Sequence, residues 1–199
     1  MNRIAIVSCE GVINQRQRIV GNPAWDRPEF LPGALDGLKL LAREGYQVVV
    51  ISEPIRRAAV GPDRELRKRW RQRWLLEIAL YGGRVERFYD RPVAPAVGPS
   101  PHHVEIMTSF VRWVFSTHRA SAEDSFFVAD SLEDAQVAAN LGCIAFVVRR
   151  EAFLCFQPAA GVVETASNLM DTAERVLFRR ANPLLHALKG APTGLVADS

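Results

Sequence analysis

The chain is expected to fold as an α/β domain: a mainly parallel central sheet with helices on both faces, in the three-layer Rossmann-like arrangement. Three observations predict this. Short apolar runs recur along the chain, helical patterns separate them, and the β-branched run QVVVIS at 47–52 is typical of a strand buried on both faces.

Ile4 to Val7 is the first apolar run and reads as a buried strand, punctuated by Gly11. Asn22 to Pro32 is rich in Pro, Asp and Trp and reads as a loop. Pro32-Gly33 then opens a helix in which Leu35, Leu38, Leu41 and Ala42 recur at helical spacing and Gly45 lies just past the end. Gln47 to Ser52 is the second strand. Asp63 to Tyr81 carries a long helical pattern, with Leu66, Trp70, Trp74, Leu75 and Ile78 on its apolar side. A third strand is placed over Arg84 to Tyr89, and Asp90 to Pro101 is a proline-rich loop. Val104 to Thr117 is helical, with Ile106, Phe110, Trp113 and Val114 as the expected core stripe. Ser125 to Ala129 is a strand, Asp134 to Leu141 a short helix ending at Gly142, Ile144 to Val148 a strand and Ala166 to Arg179 a final helix. One domain is expected over residues 1–180, followed by an extended or flexible tail over 181–199 that contains Pro183, Gly190, Pro192 and Gly194.

The bulk numbers agree with one globular domain: 199 residues, 48% hydrophobic and 24% charged. A net charge of +3 gives no global reason for a nucleic-acid or membrane partner. The cysteines, Cys9, Cys143 and Cys155, form no C-x-x-C pair and are odd in number, so reduced thiols are expected rather than a disulfide framework. The start MNRIAIVSCEGVIN does not have the makeup of a signal peptide, and no apolar run reaches the roughly 20 residues that span a bilayer. A cytoplasmic location is expected.

In open α/β sheets the ligand site lies beyond the carboxyl ends of the strands. The residues just after the strands are therefore the informative ones: Ser8, Cys9, Glu10 and Gly11 after the first, Ser52 and Glu53 after the second, and Asp130, Ser131, Glu133 and Asp134 after SFFVA. Hydroxyls and carboxylates from three strand ends converge on one region. The helix carrying Arg64, Arg67, Lys68, Arg69, Arg71 and Arg73 beside Trp70 and Trp74 has two readings. It is an amphipathic helix with core tryptophans and solvated arginines, or a surface for nucleic acid or a protein partner. The first reading is preferred.

These strand ends resemble the motifs of the haloacid dehalogenase (HAD) superfamily, and within it the heptose-bisphosphate and histidinol-phosphate phosphatase branch. The first motif of that branch is a strand followed by Asp-x-Asp-Gly-Val-Ile-Asn, and here it reads Ser8-Cys9-Glu10-Gly11-Val12-Ile13-Asn14. EFLPGALDGLKLLAREGYQVVVIS resembles the path to the second motif, with Ser52 as its terminal hydroxyl. SFFVADSLEDAQVAANLGC resembles the fourth, with Asp130 and Asp134 matching its two aspartates and Ala129 standing for a glycine. The resemblance spans residues 3–150. It implies a HAD fold without a large cap domain.

The resemblance also implies roles. In HAD phosphatases the first aspartate attacks phosphorus, the second is the acid/base, the second-motif hydroxyl and a lysine bind the phosphoryl oxygens, and the fourth-motif aspartates hold Mg²⁺. Carried over, Ser8 takes the nucleophile's place and Glu10 the acid/base place. Ser52 and Ser100 are the phosphate-binding positions, and Asp130 and Asp134 the metal ligands, with Asp134 read equally well as a carboxylate that caps or flanks a helix start. A neutral serine is a weak nucleophile without an adjacent base, and it removes an anionic metal ligand. The lysine is missing too: none lies between Lys68 and Lys189, and Ser100 stands where it is expected, with His102, His103 or Arg112 as candidate replacements. Residues 53–101 contain no cysteine, so the thiolate zinc loop of many relatives is not expected. The expectation is a pseudophosphatase with a weakened Mg²⁺ site and no zinc, binding a phosphorylated small molecule or a protein partner. Its alternatives are an active Mg²⁺-dependent phosphomonoesterase and an assembly subunit using the Arg/Trp helix over 64–78.

Overall fold

A computed structural model describes residues 2–15, 28–52, 64–92, 101–148 and 163–183; the side chains of 64–67 and 101–102 are not part of the description. The elements in chain order are β1 (Ile4–Ser8), α1 (Ala34–Arg43), β2 (Gln47–Ser52), α2 (Arg64–Tyr81), β3 (Arg87–Asp90), α3 (Pro101–His118), β4 (Phe126–Ala129), α4 (Leu132–Asn140), β5 (Ile144–Val148), β6 (Val163–Ala166) and α5 (Leu169–Ala181). The six strands form one sheet in the order β3-β2-β1-β4-β5-β6, and every neighbouring pair is parallel. The expected α/β Rossmann-like architecture is therefore what the chain adopts.

The side-chain alternation of β1 shows why it takes the centre. Ile4, Ala5, Ile6 and Val7 are all fully buried, because both faces of the strand are covered. Ala5 and Val7 face a core shared with Leu38 and Leu41 of α1, Trp74 and Ile78 of α2, and Leu169, Ala173 and Val176 of α5. Ile4 and Ile6 face the opposite core, built with Met107, Val111 and Val114 of α3 and Ala135, Val137 and Ala138 of α4. Helices α1, α2 and α5 thus cover one face, and α3 and α4 the other. Trp70 and Trp74 belong to the first core, with Trp74 fully buried against Phe30 and Phe88, so the tryptophans of the basic helix are core residues. Lys68, Arg69 and Arg73 of that helix are exposed.

Several boundaries differ from the sequence expectation. The third strand lies at Arg87–Asp90 rather than 84–89, with Glu86 N–H donating to Val48 C=O just ahead of it. Helix α3 begins at Pro101, one turn earlier than Val104; proline is well suited to the first turn of a helix. Its core stripe is Met107, Val111, Val114 and Phe115, whereas Trp113 is 48% exposed and lies on a side aromatic cluster with Phe110 and Tyr89. Helix α4 starts at Leu132, because the Ser131 side chain caps it by accepting from the Asp134 N–H at 3.3 Å. The segment from Ala166 is not all helix. Val163–Ala166 is the edge strand β6, with Val163 and Ala166 buried, and α5 begins only after Asn168 caps it by accepting from the Asp171 N–H at 2.9 Å. The tail expected over 181–199 lies outside the described residues beyond Pro183.

Candidate functional site

The sheet order reverses its direction of winding between β1 and β4, and a cleft opens there beyond the carboxyl ends of the strands. It is lined by Ser8, Glu10, Ile51, Arg91, Met107, Phe127, Asp130 and Asp134. Ser8, Glu10, Asp130 and Asp134, four of the positions picked from the sequence, share this cleft.

The chain turns tightly after β1. Ile13 N–H and Asn14 N–H both donate to Cys9 C=O, at 3.0 and 2.8 Å, and Gly11 N–H donates to Asn14 C=O at 2.7 Å. Gly11 sits at φ 79°, in the left-handed region, and a Cβ there would lie 2.6 Å from Asp130 Oδ2. Only glycine lets the loop after β1 close against Asp130 at the end of β4. Cys9 is buried under this turn. Burial, with the neighbouring Glu10 carboxylate, pushes its thiol well above the usual range, so it remains a neutral core side chain.

Glu10 and Ser52 are brought into direct contact. The Ser52 hydroxyl donates to Glu10 Oε1 at 2.7 Å, a charge-assisted bond that fixes the carboxylate. Ser52 itself is buried, at 7% exposure, and is not one of the residues that line the cleft; it meets the site through Glu10.

Asp134 is the most enclosed charge of the site, 2% exposed. Its backbone belongs to the first turn of α4, where Ser131 does the capping, and its carboxylate turns toward the cleft. Arg91 Nη1 donates to Oδ2 at 2.6 Å, and His103 Nε2 faces Oδ1 at 3.1 Å. Arg91 Nη2 lies 3.4 Å from the same ring nitrogen. Both carboxylate oxygens are therefore engaged, one by a permanent cation. A carboxylate this buried needs such partners, since an isolated one is costly.

Arg91 is the residue the sequence reading missed. It directly follows β3, its N–H donates to Ser52 C=O at 2.8 Å, and Pro92 after it favours an extended backbone. The signal was present: the rule that residues after strand ends carry function covers Arg91 once β3 is placed at 87–90. Of the three proposed substitutes for the lysine, His103 reaches the site and Arg112 is an exposed residue of α3. His102 as a side chain, and Ser100 altogether, lie outside the described residues, as does Glu53.

Known folds resolve the architecture. The D,D-heptose 1,7-bisphosphate phosphatase of B. bronchiseptica, solved with magnesium and phosphate, superposes with a TM-score of 0.71 over 90% of this chain and 99% of that one, at 22% identity. The chain shares the fold of that phosphatase. The corresponding Burkholderia thailandensis enzyme matches at a TM-score of 0.62 and 19% identity, over 88% of this chain and 99% of that one. The cobalt-bound deoxy-D-mannose-octulosonate 8-phosphate phosphatase of Haemophilus influenzae matches at 0.56 and 17% identity, over 90% of each chain. No protein-family model and no curated protein sequence matches the chain.

Two of these structural neighbours hold magnesium or cobalt, which raises the question of a divalent metal here. Glu10, Asp130 and Asp134 supply carboxylates to one cleft, but Glu10 is held by Ser52, and Asp134 is spanned by Arg91 and His103. Among the described residues, no group of three His, Cys, Asp or Glu side chains is disposed to hold a metal ion. The donor set as arranged does not fit an octahedral Mg²⁺ site.

Proposed function

We propose that this protein is a HAD-fold phosphate-binding protein that has lost the covalent phosphatase chemistry. One observation carries the reading: a serine stands at the end of β1, in the cleft, where the family's mechanism uses an aspartate nucleophile. A neutral serine hydroxyl is a weak nucleophile, and where the family's aspartate carries a charge Ser8 carries none. The solved neighbour that carries magnesium and phosphate supports a phosphorylated small molecule as the ligand class. The protein-partner alternative now draws on the exposed Lys68, Arg69 and Arg73, since the two tryptophans are core residues.

A second reading has its own support. Glu10 lines the cleft, and a carboxylate oriented by Ser52 is suited to deprotonate an attacking water. A panel of phosphate monoesters with Mg²⁺ separates the two. The binding-protein reading expects no turnover above background. Turnover that survives Ser8→Ala but falls about 100-fold in Glu10→Gln establishes the water-attack enzyme instead. Turnover abolished by Ser8→Ala also ends the binding-protein reading.

A further inference from the structure

We propose that Arg91 stands in for a divalent cation at Asp134, so that the cleft takes up a phosphate dianion through a guanidinium and without metal. The inference rests on the phosphoryl-binding reading above and says what makes it work. Three observations support it. Arg91 lines the same cleft as Ser8 and Asp130. It holds Asp134, one of the two fourth-motif aspartates that the family resemblance makes metal ligands, at 2.6 Å. His103 takes the other oxygen of the same carboxylate, at 3.1 Å.

A cation reaching Asp134 has to displace a charge-assisted bond to a carboxylate that is almost wholly shielded from water. Arg91 and Mg²⁺ therefore compete for one position. A guanidinium carries five N–H donors in a planar fork, so a single side chain can serve a carboxylate on one edge and a phosphoryl oxygen on another. The backbone bond from Arg91 N–H to Ser52 C=O ties the residue to the sheet edge, and the bond to Asp134 holds its guanidinium in the cleft before any ligand arrives. Arg91 thereby returns to the site the positive charge that the absent lysine would have provided, from the start of the same β3-to-α3 connection rather than from position 100.

The test is titration of the full chain with inorganic phosphate, read by calorimetry, once in EDTA and once in Mg²⁺. The expected Kd agrees within about 2-fold between the two conditions. Arg91→Ala is expected to weaken binding by about 10-fold or more, the scale of one lost charge-assisted bond, with Arg91→Lys in between. Asp134→Asn decides by its sign. It removes a carboxylate that repels phosphate and draws on Arg91, so binding holds or tightens, whereas a metal-dependent site would lose phosphate with its metal ligand. Because Arg91→Ala leaves Asp134 buried with one partner fewer, the double variant Arg91→Ala/Asp134→Asn removes both charges together; it is expected to fold, which thermal melting checks, and its binding is expected to be lost. Phosphate bound only with Mg²⁺, or binding abolished by Asp134→Asn, overturns this inference and leaves the phosphoryl-ligand reading standing. Phosphate bound in neither condition overturns both.

Discussion

His118, at the end of α3, shows how one side chain links the sheet edge to the pH response of the fold. Its ring lies between Tyr89, whose hydroxyl is 3.2 Å from Nε2, and Gln47, whose Oε1 is 3.4 Å from Nδ1. That pairing suits a neutral ring with its proton on Nδ1, since Gln47 Oε1 can only accept. Burial lowers the His118 pKa from its ordinary 6.5; Arg87 adds to the lowering, and Glu86 opposes it. A lowered folded value means that, as pH falls, the unfolded chain takes up this proton first. The contribution to stability is therefore whole above the ordinary value, declines as pH falls toward the folded value, and is constant below it. Melting curves at about pH 7.5 and about pH 5 check this. His118→Gln, which keeps a donor and an acceptor, is expected to narrow the difference in Tm between the two conditions relative to the parent chain. A variant with the same difference contradicts the assignment.

At the scale of elements, the sharpest packing constraint lies between α1 and α5. Gly37, in the middle of α1, is buried against the first turn of α5; a Cβ there would lie 2.8 Å from the Leu169 carbonyl carbon and 2.9 Å from the Met170 nitrogen. Those contacts are backbone, which cannot swing aside as a side chain can. Alanine ordinarily stabilises a helix interior by ~1 kcal/mol over glycine. Here the overlap opposes that gain, and Gly37→Ala is expected to destabilise by about 1–3 kcal/mol, as overpacking does. Urea denaturation measures it; an increase in stability would show that α5 moves away freely. The same region marks how far sequence patterns reach. The leucine spacing of α1 was legible because a single face of one helix repeats. Strand β6 was not, because four residues, Val163-Glu164-Thr165-Ala166, carry too little alternation to separate a strand from the start of a helix. The Asn168 cap is the local signal that fixes the boundary. In α3 the pattern was legible but rotated: Trp113 is larger than Met107, yet the methionine occupies the core, since an edge aromatic cluster with Tyr89 and Phe110 satisfies the tryptophan.

Taken as a whole, the molecule brings together residues far apart in sequence at the crossing of β1 and β4. Ser8, Glu10, Asp130 and Asp134 were legible as a group because each directly follows or closely follows a strand, and a parallel sheet directs all its carboxyl ends the same way. What sequence alone did not give was the pairing among them. Arg91 lies 43 residues from Asp134, and nothing local to either residue signals the contact. The whole-site view also predicts the outcome of the obvious repair. Ser8→Asp adds a carboxylate at the position that the family resemblance gives to a nucleophile, but changes neither Arg91 nor Glu10. The same phosphate-ester panel is expected to show no gain over the parent chain, because attack on phosphorus also needs charge stabilisation that this arrangement commits elsewhere. A clear gain from that single change would mean that the serine alone stands between this chain and hydrolysis.

The Asp134 clasp also ties three positions together under any change of sequence. Once an arginine and a histidine hold both oxygens of a buried carboxylate, removing the arginine alone strands a charge that its enclosure keeps from water. Positions 91, 103 and 134 are therefore expected to tolerate joint replacement better than single replacement.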